Sequence, residues 1–122
     1  MENNIPRNLV IDQREKGWFL IPNDFLNGYA KNVGWQGQLV YMALSRHADK
    51  KGMSFPSIKH LAKELGVSEW SIEKGITSLK EFNIIKVEMR TKTSNGRGSN
   101  LYYLIDKKDW KKTLDWSNRK RG

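Results

Sequence analysis

A chain of 122 residues carrying five Trp, four Tyr and four Phe is long enough for one compact core, and its formal net charge of +9 favours a polyanionic partner. It has no cysteine, which excludes disulfides and thiolate metal sites. No apolar run approaches the roughly 20 residues that span a bilayer, and the opening MENNIPRNLVIDQREKG lacks the apolar core of a signal peptide, so the expectation is a cytoplasmic protein without membrane insertion.

Residues 1–16 are polar and read as a flexible terminus, with a short strand at Leu9–Ile11 as its one apolar feature. Trp18–Ile21 reads as a strand. Pro22 to Asn32 reads as a short helix with Phe25, Leu26 and Tyr29 on one side, its proline suited to a first turn. Gly34 breaks that helix. Trp35 to Ala48 reads as a second helix with a broad apolar face of Trp35, Leu39, Val40, Ala43, Leu44 and His47. A turn over residues 49–52 leads to a short strand at Met53–Phe55.

Residues 57–82, SIKHLAKELGVSEWSIEKGITSLKEF, organise the rest. Ser57 is an N-cap, and Ile58, Leu61, Ala62 and Leu65 recur at helical spacing. Small Ala62 permits a close helix crossing. Gly66 stands where a helix ends in the left-handed conformation, Val67 plugs the corner, and Ser68 caps a second helix striped by Ile72, Ile76, Leu79 and Phe82. The pattern is a helix-turn-helix, whose second helix meets base edges with its N-terminal side chains; an ordinary helical hairpin is the bland alternative.

Beyond it, Ile84–Thr91 alternates Ile85, Val87 and Met89 with Lys86, Glu88 and Arg90, and residues 100–106 return as a second strand. The loop KTSNGRGS, residues 92–99, puts Lys92 and Arg97 at a wing tip that would lie against the minor groove or phosphates; a solvated loop cation is the alternative for Arg97. Residues 107–122 read as a basic helix or tail capped by Asp109, with Trp110 and Leu114 one turn apart to dock on the domain or a second copy. Seven of its side chains are basic and two acidic, against six and five over residues 67–106, so the second helix of the motif is not the main source of positive charge.

At an offset of 32, Ala30, Lys31 and Gly34 fall on Ala62, Lys63 and Gly66, and Val40 and Leu44 on Ile72 and Ile76. This echo suggests an α+β fold in one of two forms. One is a single winged helix over residues 17–106. The other is a pseudo-twofold pair around a shared antiparallel sheet, with a degenerate first helix-turn-helix at 17–50 and a winged second at 51–106. In the paired form Gln36, Gln38 and Arg46 reach DNA and Trp35, Leu39 and Val40 fill the core.

From FPSIKHLAKELGVS and RGSNLYYL, the stretch Val33 to Ile105 resembles the winged-helix family of replication initiators, replisome organisers and regulators of Gram-positive plasmids and phages. With its extra N-terminal unit the chain also resembles TraN-type DNA-binding transfer proteins of conjugative plasmids. The resemblance implies double-stranded DNA binding near a transfer origin, as a relaxosome accessory factor or transfer repressor, with other transfer or replication proteins as further partners. A replication initiator is the runner-up, and a protein-interaction module the reading from another class. The chain departs from the family after the capping Ser68, where Glu69, Trp70 and Ser71 replace basic residues. Glu69 and Glu73 weaken phosphate attraction, although Glu accepts from a cytosine amino group; Trp70 suits a thymine methyl, a sugar or a protein surface.

The candidate DNA contacts are Gln36, Gln38, Arg46, Lys59, Ser68, Glu69, Trp70, Ser71, Lys74, Lys92 and Arg97. The second helix, residues 69–82, would take the major groove. No phosphate-cradling loop or nucleophile–base pair is visible, so no enzyme activity and no cofactor are expected. His47 and His60 fall on different helices with no evident acidic ligand pair, which favours packing or surface roles over a metal site.

Overall fold

The computed structural model describes residues 17, 19–89 and 100–112. Its elements run α1 (Tyr29–His47), β1 (Met53–Ser54), α2 (Ile58–Leu65), α3 (Glu69–Glu81), β2 (Ile85–Glu88) and β3 (Leu101–Leu104), with single 3-10 turns at Asn23–Leu26 and Lys107–Asp109. The strands form one antiparallel sheet in the order β1-β3-β2, with Tyr102 facing Ser54 across one edge of β3 and Val87 across the other. Three helices, a short strand between the first two, and a terminal hairpin make a single winged helix.

α1 is the central packing element. Val33, Gly37, Val40, Tyr41 and Leu44 are buried, recurring at the three- and four-residue spacing of one helix face. Of the expected face, Val40, Ala43 and Leu44 are buried, whereas Trp35 is 52% exposed. The helix is apolar almost all the way round, so composition leaves its rotation open. Packing against α3 settles it, and Trp35 lands half a turn from Leu44, which is fully buried.

The expected strand at 18–21 is not formed over Phe19–Ile21, and Trp18 lies outside the described residues. The expected helix from Pro22 forms in two pieces: a 3-10 turn over Asn23–Leu26 after the extended Pro22, and the first helical segment of α1, from Tyr29 to the kink at Gly34. Phe25 is buried in the 3-10 turn while Leu26 is 74% exposed. Among the described residues the sheet therefore draws nothing from residues 19–22. Gly66 has φ 70°, ψ 33° and ends α2; Gly34, at φ 75°, ψ 177°, is non-helical and divides α1 at a kink into two helical segments, the break expected there.

The C-terminal segment also differs from expectation. Asp106, not Asp109, caps its 3-10 turn by accepting the Lys108 N–H. Trp110 is buried, its indole Nε1 donating to the Ile105 carbonyl at 2.9 Å. It meets Tyr29 edge-on at 4.9 Å between ring centroids and also contacts Phe25 and Tyr41, which stack on each other at 4.5 Å. Lys107 pairs with Asp24 at 3.3 Å. Residues 107–110 thus strap the 3-10 turn at Asn23–Leu26 to the core. Leu114 and the basic cluster at 119–121 lie outside the described residues.

The hairpin strands are shorter than their sequence pattern. Ile85 is buried and Val87 half-buried, but Met89 is 81% exposed, because β3 pairs only as far as Glu88.

Candidate nucleic-acid interface

The α2–turn–α3 corner is built as its residues dictate. Ser57 Oγ accepts the His60 N–H at 3.0 Å, and Gly66 closes α2 with φ 70°. Val67 donates its N–H to the Ala62 carbonyl at 3.1 Å and packs half-buried on the core. Ser68 Oγ then accepts the Ser71 N–H at 3.1 Å. Each hydroxyl satisfies an amide the helix leaves free, worth about 1 kcal/mol per cap.

α3 divides cleanly. Ser71, Ile72, Gly75, Ile76 and Leu79 are buried. Glu69, Trp70, Glu73, Lys74 and Thr77 are exposed and form the opposite face, the surface a recognition helix offers to a groove. Trp70 is 61% exposed, with Lys74 Nζ 5.3 Å from its ring centroid, a cation–π pair on the outer face. With Lys80 and Glu81, also exposed, the outer face carries three carboxylates and two ammonium groups, so attraction for phosphate must come from its surroundings. Lys59 and Lys63 of α2 are exposed, and both ends of the hairpin lead toward residues 90–99, outside the described residues.

Gly75 seats this helix. A Cβ there would lie 2.5 Å from the Gln36 carbonyl oxygen and 2.7 Å from Val40 Cγ2, so the α1 backbone occupies the space a side chain would need. This close α1–α3 crossing is separate from the α2–α3 crossing expected at Ala62, which is buried.

Of the expected contacts, Glu69, Trp70 and Lys74 share the outer face of α3, Ser68 is exposed at its N-terminus and Lys59 is exposed on α2. Ser71 is a correction: it is 6% exposed, and its hydroxyl lies 3.1 Å from Ser68 Oγ within the cap. Gln36 lies at the α1–α3 crossing, behind the recognition face. Gln38 is half-buried and donates to the Ala30 carbonyl at 2.9 Å, holding the segment before the Gly34 kink. Arg46 is exposed but bonds Glu64 Oε2 at 2.7 Å. Gln38 and Arg46 are thus held by contacts within the fold. Lys92 and Arg97 lie outside the described residues.

Sequence reasoning missed Glu64. It receives His47 Nε2 at 3.0 Å and Arg46 at 2.7 Å. Burial pushes its carboxyl up, but the His47 hydrogen bond and the charges of His47, Arg46 and His60 outweigh burial and hold it below the usual carboxylate range. The available signal was the four-residue spacing of His60 and Glu64, which stacks them on one helix face. Thr77 and Lys63 were also missed, both on exposed faces beside expected contacts.

A family described as "Helix-turn-helix domain" matches residues 38–85, which spans α1 from Gln38 through α3 to the first residue of β2. No curated protein matches the sequence. Among solved structures, the adhesin competence repressor of Streptococcus pyogenes is 18% identical with a TM-score of 0.46, over 80% of this chain and 62% of that one. The chain thus spans less than two thirds of that repressor. The N-terminal domain of a DNA-binding protein is 15% identical with a TM-score of 0.50, over 85% of this chain and 82% of that one. At 15% identity this second likeness is one of fold alone. The chain carries a helix-turn-helix domain in a winged-helix fold.

Proposed function

We propose that this chain is a site-specific double-stranded DNA-binding regulator, with α3 entering the major groove and Lys59, Lys63 and Lys74 meeting phosphates. The observation that carries this reading is the division of α3. Its inner face is fixed on α1 through Gly75, while Glu69, Trp70, Glu73, Lys74 and Thr77 all face outward. Trp70 offers an apolar surface for a thymine methyl or sugar, and Glu69 can accept from a cytosine amino group. Lys92 and Arg97 serve as the wing contacts.

The resemblance carried by FPSIKHLAKELGVS supports a mobile-element setting, and within it a role in conjugative transfer, as a relaxosome accessory factor or transfer repressor acting in the cytoplasm. A footprint on DNA from the native replicon tests this. Protection beside the transfer origin or its promoter supports the transfer role; protection confined to a replication origin moves the protein to initiation; no protection anywhere refutes specific DNA binding.

A second reading is favoured by the exposed Trp70 between Glu69 and Glu73, a surface also suited to a protein partner. Salt separates the two. DNA affinity falls steeply as salt rises, whereas an apolar protein contact hardly changes.

A further inference from the structure

His47 ends α1, and His60 and Glu64 lie one turn apart on α2. One ligand atom from each can be chosen so that all three fall within 4.8 Å of one another. His47 Nε2 is 3.0 Å from Glu64 Oε1 and 3.1 Å from Oε2, and the imidazole rings stand edge-to-face with centroids 5.4 Å apart. We infer that these three side chains form a binding site for a late first-row divalent metal ion, Zn²⁺ foremost, clamping the end of α1 to the helix-turn-helix.

The donor set argues the class of ion. Two imidazoles and one carboxylate suit zinc and its neighbours, not the hard cations calcium and magnesium, which take oxygen ligands. With metal–ligand bonds of about 2.0–2.1 Å, tetrahedral geometry puts ligand atoms roughly 3.3 Å apart. The His47–Glu64 pair already meets that spacing, and the metal takes the place of the proton between them. His60 is exposed, so its ring can close the remaining gap by rotating. Three protein ligands leave the fourth position to water. Arg46, on Glu64 Oε2 at 2.7 Å, orients the carboxylate from the outside in the manner of outer-shell partners.

The chain makes the test unusually clean, because His47 and His60 are its only histidines and it has no cysteine. Any imidazole-held metal must use one or both of them. The experiment titrates tag-free full-length chain with Zn²⁺ against a chromophoric chelator and follows the two imidazole C–H signals by NMR. One equivalent should bind, both imidazoles should shift together, and thermal stability should rise with Zn²⁺ but not with Mg²⁺ or Ca²⁺. Outer-shell changes at metal sites already cost roughly 10–100-fold in affinity, so His60→Ala and Glu64→Gln should each weaken binding by at least about tenfold. His60 is exposed, so its variant should keep the wild-type circular dichroism and isolates ligand loss from misfolding. Absence of stoichiometric binding, or equal affinity in wild type and His60→Ala, overturns the site. The readout is independent of DNA, so it stands or falls apart from the proposed function.

Discussion

Gly75→Ala isolates the contact that positions α3. The added methyl would sit 2.5 Å from the Gln36 carbonyl oxygen and 2.8 Å from the Gln36 carbonyl carbon. Both atoms are backbone, so no rotamer change relieves the clash. Reaching ordinary contact at 3.4 Å requires α1 and α3 to part by 0.9 Å at this point. Two effects oppose each other. Alanine is favoured over glycine in a helix interior by about 1 kcal/mol, whereas overpacking a core costs about 1–3 kcal/mol and sometimes more. A backbone clash belongs at the upper end of that range, so the net destabilisation should be about 2 kcal/mol. For a domain of this size that lowers the melting temperature by roughly 8–16 °C. Differential scanning calorimetry and urea denaturation measure it, with Gly66→Ala as the comparison. At Gly66 a Cβ meets nothing within 4 Å, so only the left-handed backbone, at about 1–2 kcal/mol, is charged. A Gly75→Ala protein as stable as wild type, or more so, would show that helix propensity outweighs the clash and that the crossing is looser than described.

Lys74→Ala should weaken binding to all DNA sequences alike and reduce the slope of log affinity against log salt by about one; an unchanged slope removes Lys74 from the backbone contacts. Gln38→Ala should leave any DNA footprint unaltered, since its amide is spent on the Ala30 carbonyl, and a shortened footprint would restore a second reading unit. Trp110→Ala should cost about 3–5 kcal/mol in chemical denaturation, the range for a buried large aromatic, and Trp110→Phe about 1–3 kcal/mol by orphaning the Ile105 carbonyl. All four tyrosines ionise above their ordinary value of 10.0, Tyr41 at about 12, with burial the leading cause in each. Between those values the folded state holds more protons than the unfolded one. The tyrosine contribution is therefore complete below pH 10.0 and is lost as pH rises toward about 12. Phenolate absorbance should titrate later in the native protein than in denaturant, and coincident curves would contradict the burial of these rings.

The parts of this protein legible in its sequence are those governed by neighbours along the chain. Ser57, Gly66 and Ser68 fix the ends of α2 and α3 through hydrogen bonds and backbone angles that span four residues or fewer, so their roles can be read without the fold. The inner stripe of α3 is equally local: Ile72, Ile76 and Leu79 repeat at helical spacing among polar residues, leaving one rotation only. The hairpin that follows has the same origin in alternation, although its ends do not.

Tertiary structure decided what local pattern leaves degenerate. α1 is apolar nearly all round, so burial of Tyr41 and exposure of Trp35 were settled by the partner that fits against it. Gly75 looks like a weak point in a helix until the α1 backbone is seen to fill its missing side chain. Phe19–Ile21 have strand-like side chains, but no described strand pairs with them, and backbone hydrogen bonds across a sheet require a partner. Trp110 needed the aromatic pocket of Phe25, Tyr29 and Tyr41, assembled from chain segments far apart. His47, His60 and Glu64 meet only because α1 ends beside α2, a proximity that the sequence separation of His47 and Glu64 conceals and the packing of two helices creates.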